Sequence, residues 1–250
     1  MVVGIISAMQ EEMQTLIENL QESVTSTKGM RTYYSGKLFN TNVVLVFSRW
    51  GKIAATTTVT QLINDYEISE IIFTGVAGAI SKDLSIGDII IGKHLYQHDL
   101  DASPLFKKFE VPLLNKLYFE TSPTHREQLY KSTQIFLNSY SHLIDTEKAQ
   151  SFNITSPKVI ISDIASGDQF ISDTNAVSKL STELPTISCV EMEGAAVAQV
   201  CYEYDIPFSI MRIISDKAND NAHIDFPKFA KEIASHYALR ILENYCDASH

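Results

Sequence analysis

The sequence predicts an α/β fold: one domain over residues 1–250, layered α/β/α around a central twisted sheet that is mixed and mostly parallel. Three observations predict it. Short β-branched runs alternate with longer segments whose apolar residues recur every three or four positions, the order expected of strands joined by covering helices. Most of the short runs are apolar throughout, as strands covered on both faces are. The 250 residues are 45% hydrophobic and 20% charged, which marks an ordinary globular chain, long enough to bury a core without a disulfide or metal staple.

The first predicted strand, VVGII (2–6), leads into a helix over 9–20 with Met9, Met13, Leu16 and Leu20 on one face. VVLVF (43–47) precedes a helix over 52–66 carrying Ile53, Val59, Leu62, Ile63 and Tyr66. IIFTG (71–75) and DIIIG (88–92) are the next strands. The stretch 93–125 then breaks the rhythm with Pro104, Pro112, Pro123, aromatics and mixed charge. It reads as a long ordered loop with short elements, and such loops in compact domains tend to be functional. VIIS (159–162), ISCV (187–190) and FSIMRII (208–214) complete the strands. An Ala- and Val-rich segment over 193–204 reads as a buried helix. The last helix, over 226–245, repeats at Phe226, Phe229, Ile233, Tyr237, Ile241 and Tyr245. No internal repeat or linker divides the chain.

Composition narrows the function. Twenty Lys and Arg against thirty Asp and Glu give a net charge of −10, a field that repels a phosphate backbone and argues against nucleic acid as partner. Cys189, Cys201 and Cys246 form no C-x-x-C pair, and an odd count argues against a disulfide framework. No apolar run approaches the roughly 18 residues of a membrane span. The start, MVVGIISAMQEEM, lacks a basic leader, so a cytoplasmic protein is expected, with no membrane partner.

Several motifs fail on inspection. Gly51-Lys52 lacks the upstream glycine of a phosphate loop, and Ile53 replaces its Ser or Thr. Gly75-Val76-Ala77-Gly78 lacks the first glycine pair of a dinucleotide fingerprint. His94, His98, Asp99 and Asp101 cluster, and His223-x-Asp225 looks metal-like, yet neither has the spacing of a closed zinc site; they read as solvated loop polars. No Gly-x-Ser-x-Gly elbow occurs.

Four places at strand ends remain, where α/β sheets bind their ligands. Ser7 to Glu12 follows the first strand and puts carboxylates in the opening turn of a helix. Thr74-Gly75-Val76-Ala77-Gly78 is a small-residue turn that a ligand can approach closely. Glu191-Met192-Glu193 stands between an apolar strand and a helix almost free of charge. Residues two apart share a face only in an extended segment, so both carboxylates can serve one pocket only if the chain has not yet turned helical. Arg212 lies inside an apolar strand and needs a buried acceptor, for which Glu12 or Glu193 is available. Ser215 and Asp216 end that strand. Several carboxylates around a cleft suit glycosidic chemistry, in which one acid protonates the leaving group and another activates water.

At these residues the chain resembles the nucleoside phosphorylase/nucleosidase family. The matching blocks are GIISAMQEEM (4–13), FTGVAGAI (73–80), SIGDIIIG (85–92), QHDLDAS (97–103), SGDQFI (166–171), VEMEGAAVAQVC (190–201) and IPFSIMRIISDKAND (206–220), in order along nearly the whole chain. The resemblance implies hydrolysis of the adenine–ribose bond of 5′-methylthioadenosine and S-adenosylhomocysteine through an oxocarbenium-like ribosyl group. It implies that Asp216, oriented by Ser215, protonates the purine, and that Glu12 holds and deprotonates the attacking water with help from Arg212. Glu193 would bind the ribose hydroxyls, Met192 would pack on the sugar and Glu191 would line the same junction. Phe170 would stack on adenine, the Ile171 backbone would bond its edge, and Met9, Ala77 and Gly78 would border the ribose. The 97–113 loop would close near the alkylthio end at a homodimer interface. No metal or cofactor is implied.

Two residues depart from the family pattern. Val76 stands where many relatives carry a Ser that helps hold the water, and Trp50 puts an indole where a small aliphatic residue is common. Trp50 is therefore expected to reshape the 5′ pocket. Three other readings compete: a purine nucleoside phosphorylase on the same fold, a futalosine or aminodeoxyfutalosine hydrolase, and a non-catalytic nucleoside-binding protein. A phosphate nucleophile needs clustered cationic donors. The acidic Gln10-Glu11-Glu12 after the first strand instead favours water.

Overall fold

The structure, a computed structural model, describes residues 2–218 and 226–248. Along the chain run β1 (Val3–Ser7), α1 (Gln10–Glu18), β2 (Gln21–Lys28), β3 (Arg31–Leu38), β4 (Thr41–Phe47), α2 (Lys52–Asp65), β5 (Glu70–Phe73), β6 (Val76–Ala79), β7 (Ile89–Gln97) and β8 (Phe119–Glu120). There follow α3 (Pro123–Asn138), the short α4 (Tyr140–Leu143) and α5 (Thr146–Ser151), β9 (Val159–Ser166), α6 (Thr174–Glu183), β10 (Ile187–Glu191), α7 (Gly194–Glu203) and β11 (Phe208–Asp216). The final helix starts as α8 (Phe226–Phe229), widens into a π turn (Ala230–Ala234) and ends as α9 (Ser235–Asp247).

The strands join one mixed sheet in the order β2-β3-β4-β1-β5-β11-β6-β10-β9-β7-β8. Its centre, β4 through β6, is parallel throughout. Antiparallel pairings stand toward the two ends, at β2–β3–β4, β6–β10 and β7–β8. β7 also pairs antiparallel with β11, so β11, β6, β10, β9 and β7 close on themselves, a closure the run pattern did not reveal.

Strand periodicity sorts the core into two halves. Ile5, Leu45, Met211 and Ile213 pack with Met13 and Leu16 of α1, Phe136 of α3 and Tyr237 and Ile241 of α9. Their alternate neighbours Ile6, Val44, Val46, Ile210 and Ile214 pack with Val59 and Leu62 of α2 and Val197 and Cys201 of α7. These two cores are the two interfaces of a three-layer α/β/α arrangement. Among the described residues no helix is long and apolar enough to cross a membrane.

Three expectations need correction. The small-residue segment after the third predicted strand is not simply a turn: Val76–Ala79 is itself strand β6, wedged between β11 and β10. The irregular stretch begins later than residue 93, because β7 runs on to Gln97, and it ends at α3, which starts at Pro123. The β2–β3 hairpin has no counterpart in the predicted elements. QESVTSTK of β2 is polar and largely exposed, so it carries no apolar run to betray it.

Candidate active site

Most of the residues singled out from the sequence meet in one cleft beyond the carboxyl ends of β1, β10 and β11. Met9, Glu12, Trp50, Val76, Ala77, Gly78, Phe170, Ile171, Glu191, Met192, Glu193, Ser215 and Asp216 all line it. It is open to solvent at one side and holds about 590 Å³ of space counted to its mouth. Arg212 is the exception, lying behind the wall at 1% exposure.

Glu12 stands in the first turn of α1, yet its carboxylate folds back against the chain. Oε2 accepts the N–H groups of Ala8 and Met9, each at 3.0 Å, and Oε1 accepts that of Val76, also at 3.0 Å. The side chain thereby ties α1 to β6. Burial pushes its pKa up to about 7, held from rising further by the Arg212 charge and the three N–H donors. Gly75 makes the approach possible. A Cβ there would lie 2.8 Å from Glu12 Oε1 and 3.2 Å from Arg212 Nη1, and φ is +154°.

β10 ends at Glu191 and α7 begins at Gly194, so the chain is not yet helical at Met192 and Glu193, and both carboxylates reach the cleft. Their surroundings differ. Glu191 accepts Arg212 Nη2 at 2.6 Å, the Ser166 hydroxyl, and the N–H groups of Glu193 and Gly194 at 3.1 and 2.9 Å. Its role at the junction is to cap α7 and anchor three strands. Arg212 therefore pairs with Glu191, not with Glu12 or Glu193 as expected. The β10–α7 junction delivers Glu191 to the guanidinium, which also lies 4.0 Å above the Phe73 ring. Glu193 keeps one hydrogen bond, from Gly51 N–H at 2.8 Å. Burial first, and the neighbouring Glu191 charge second, push its pKa up to about 8.

Ser215 donates to Asp216 Oδ2 at 2.7 Å, and Ala218 N–H donates to Oδ1 at 2.7 Å. A Cβ on Gly78 would sit 3.0 Å from Oδ1, so β6 passes close beneath this carboxyl group. Aromatic rings stand at the mouth. Phe170 is 46% exposed, and Phe226 meets both Phe170 and Trp50 edge-on, with centroids at 6.5 and 6.3 Å.

Sequence reasoning missed Phe226 and Gln169 as lining residues, and Gly51 as a donor to Glu193. Phe226 was hidden because it fits the apolar stripe of the last helix. The His/Asp cluster disperses into separate pairs: His94 Nδ1 lies 3.0 Å from Asp163, and Asp99 engages Lys52 at 2.6 Å. His223 and Asp225 lie outside the described residues.

Comparisons with known proteins agree with this architecture. The family model described as "Phosphorylase superfamily" matches residues 2–246. A 5′-methylthioadenosine/S-adenosylhomocysteine nucleosidase from Staphylococcus epidermidis is 34% identical over 233 residues, covering 93% of each chain. The Streptococcus pneumoniae enzyme of that name, solved with the transition-state inhibitor MT-ImmA, superposes with a TM-score of 0.84 over 100% of both chains at 28% identity. Futalosine hydrolase of Helicobacter pylori superposes at 0.82 and 28% identity, over 99% of this chain and 97% of that one.

Two outcomes follow from the buried charges. Arg212→Met leaves the Glu191 carboxylate sealed without its cation and should cost about 3–5 kcal/mol in urea unfolding. The Arg212→Met/Glu191→Gln double variant should recover much of that loss. Glu12 and Glu193 have folded pKa values raised above the ordinary 4.5, so the folded chain holds more protons than the unfolded one in between. Stability from these groups is full below about pH 4.5 and declines as pH rises, through about 7 for Glu12 and about 8 for Glu193. Melting wild type and Glu12→Gln side by side should show the variant gaining on wild type by about 3 kcal/mol between pH 5 and 8. A difference that does not change with pH would contradict this.

Proposed function

We propose that this chain, which belongs to the phosphorylase superfamily and within it to the 5′-methylthioadenosine/S-adenosylhomocysteine nucleosidases, hydrolyses the adenine–ribose bond of 5′-methylthioadenosine and S-adenosylhomocysteine. The observation that carries this reading is the meeting of Glu12, Glu193 and Asp216 in one partly desolvated cleft, beside an exposed Phe170.

Breaking an N-glycosidic bond puts positive charge on the sugar and negative charge on the departing base. In this reading Glu12, with a pKa near neutrality, holds a water and takes its proton as it attacks. Glu193 accepts from the ribose hydroxyls, whose bonds tighten as charge develops on the sugar. Met192 and Met9 pack against the ribose beside Ala77 and Gly78. Asp216, fixed by Ser215, supplies the proton that makes adenine a leaving group. Phe170 covers the base, and the Ile171 backbone bonds its edge. Arg212 acts through Glu12 and Glu191 rather than by touching water.

Water is favoured over phosphate as nucleophile, because no Lys or Arg lines the cleft among the described residues and Arg212 is engaged by Glu191. A second reading, aminodeoxyfutalosine as substrate, has in its favour the likeness to futalosine hydrolase and the open mouth of the cleft. The reading also takes the chain to act as one domain, in the cytoplasm and as a homodimer. Exposed Ile53 on α2, with exposed Leu105 and Leu113 on the stretch between β7 and β8, supports apolar surface for the partner.

Adenine release should proceed in phosphate-free buffer from methylthioadenosine and S-adenosylhomocysteine, in a screen that also offers inosine, adenosine, 5′-deoxyadenosine and aminodeoxyfutalosine. Strict dependence on phosphate would make the chain a phosphorylase. Glu12→Gln should lose about 10²-fold or more in kcat, the usual contribution of a general base. Full turnover by Asp216→Asn would remove the proposed acid. Trp50→Ile should change the ratio of kcat/KM between the methylthio and homocysteinyl substrates, and an unchanged ratio would remove Trp50 from specificity.

A further inference from the structure

Three segments, two of which border the cleft, are joined by a closed ring of hydrogen bonds. Asp168 Oδ1 accepts the backbone N–H of Lys52 at 2.7 Å. Lys52 Nζ donates to Asp99 Oδ1 at 2.6 Å. Asp99 Oδ2 accepts the backbone N–H of Asp168 at 2.8 Å, which closes the ring. Its members come from the start of α2, the turn after β7 and the loop after β9, far apart in sequence.

Each joint is shaped for the contact. Gly51 is the N-cap residue of α2 and has no side chain to cap it, so Asp168 supplies the missing cap across 116 positions. A Cβ on Gly51 would lie 2.9 Å from Asp168 Oδ1, and φ there is +92°, so glycine is required twice over. Gly167, which opens the Phe170 loop, leaves no room for a Cβ. His98 Nε2 would lie 2.3 Å from it. The residues flanking the ring are those that face substrate in the proposed reaction. Gly51 donates to Glu193, Trp50 precedes it, and Phe170 and Ile171 follow Asp168 by two and three positions.

We propose that the Asp99–Lys52–Asp168 ring is a positioning device that locks the base-covering loop to the segment holding the ribose carboxylate, so that the two ends of the nucleoside are gripped in fixed register. It rests on the nucleosidase reading for what the two ends bind, but the lock itself is a property of the chain. Both carboxylates accept a backbone N–H group, and Asp99 alone also takes the Lys52 ammonium group. Every joint needs one of these three side chains, so truncating any of them opens the ring. Asp168 is exposed, so truncating it removes the lock without opening the core.

The test uses Asp168→Ala, Lys52→Met and Asp168→Asn in the full chain. Asn keeps an oxygen that can accept the Lys52 N–H, whereas Ala does not. Asp168→Ala and Lys52→Met should lower kcat/KM about tenfold through misplacement of the gripping groups and weaken inhibition by free adenine. Asp168→Asn should stay within about threefold of wild type by the same reasoning. Trp50, the single tryptophan, adjoins the ring and reads it without turnover. Its emission should shift in the Ala and Met variants and hold in Asn, with Tm little changed in all three. Wild-type emission, adenine inhibition and kcat/KM in Asp168→Ala would overturn the proposal, as would equal damage in Asn and Ala, or losses that merely track a fall in Tm. If the wild type releases no adenine from any nucleoside, the reaction assignment fails, and Trp50 emission still judges the ring.

Discussion

The site depends on a carboxylate and a guanidinium that are both nearly sealed from solvent. Glu191 and Arg212 meet at 2.6 Å with side chains 3% and 1% exposed. A buried ion pair is poor evidence of stability, since desolvation offsets most of the attraction. Here the geometry gives the pair another use. Between the last residue of β10 and the first of α7 the chain has two residues in which to change from strand to helix. Glu191 supplies acceptors for the amides of Glu193 and Gly194 at that helix start, which would otherwise be orphaned in an apolar setting. Arg212 from β11 and the Ser166 hydroxyl from β9 hold the same carboxylate. One side chain thus fixes a helix start against two strands.

Because Glu191 does the capping, Glu193 is released from it and points its carboxyl group at Gly51 and the cleft. The division of labour also divides the charge. The one guanidinium gives its contact to Glu191 and only its field to Glu12 and Glu193, both of which burial pushes toward the neutral form. Two carboxylates with pKa values near neutrality lower the stability of the folded chain at pH 8. They also place proton acceptors and donors where chemistry at neutral pH can use them. Stability and reactivity are in tension at the same atoms, as is common at catalytic sites.

How much of this was legible depended on what each residue does to a one-dimensional pattern. The seven apolar runs announced their strands because both faces of the central sheet are covered, and the carboxylates announced themselves by standing in apolar surroundings. β6 did not, since Val-Ala-Gly-Ala has little β-branched character and is a strand only because β11 and β10 flank it. The partner of Arg212 was misjudged for a related reason. Sequence shows which acceptors exist, but the β10–α7 geometry decides which one arrives. Phe226 and Gly51 were missed because an aromatic on a helix stripe and a glycine before a helix have ordinary structural explanations. The Asp168 cap was invisible because a cap supplied from 116 positions away leaves no local signature.

Val76 shows how backbone and side chain can answer separate needs at one position. Its N–H is the third donor to Glu12 and ties the carboxylate to β6, a service that any residue with an amide hydrogen provides. Its side chain lines the cleft with two methyl groups where the family resemblance puts a hydroxyl. Exchanging Ser for Val therefore leaves the anchoring of Glu12 intact while removing one polar neighbour from the proposed water site. With Met9 and Val76 beside it, that water would depend on Glu12 for its strongest acceptor, and the apolar wall adds to the desolvation that holds the pKa of Glu12 near 7. The same substitution that thins the hydrogen bonding around the nucleophile thus favours a base matched to neutral pH.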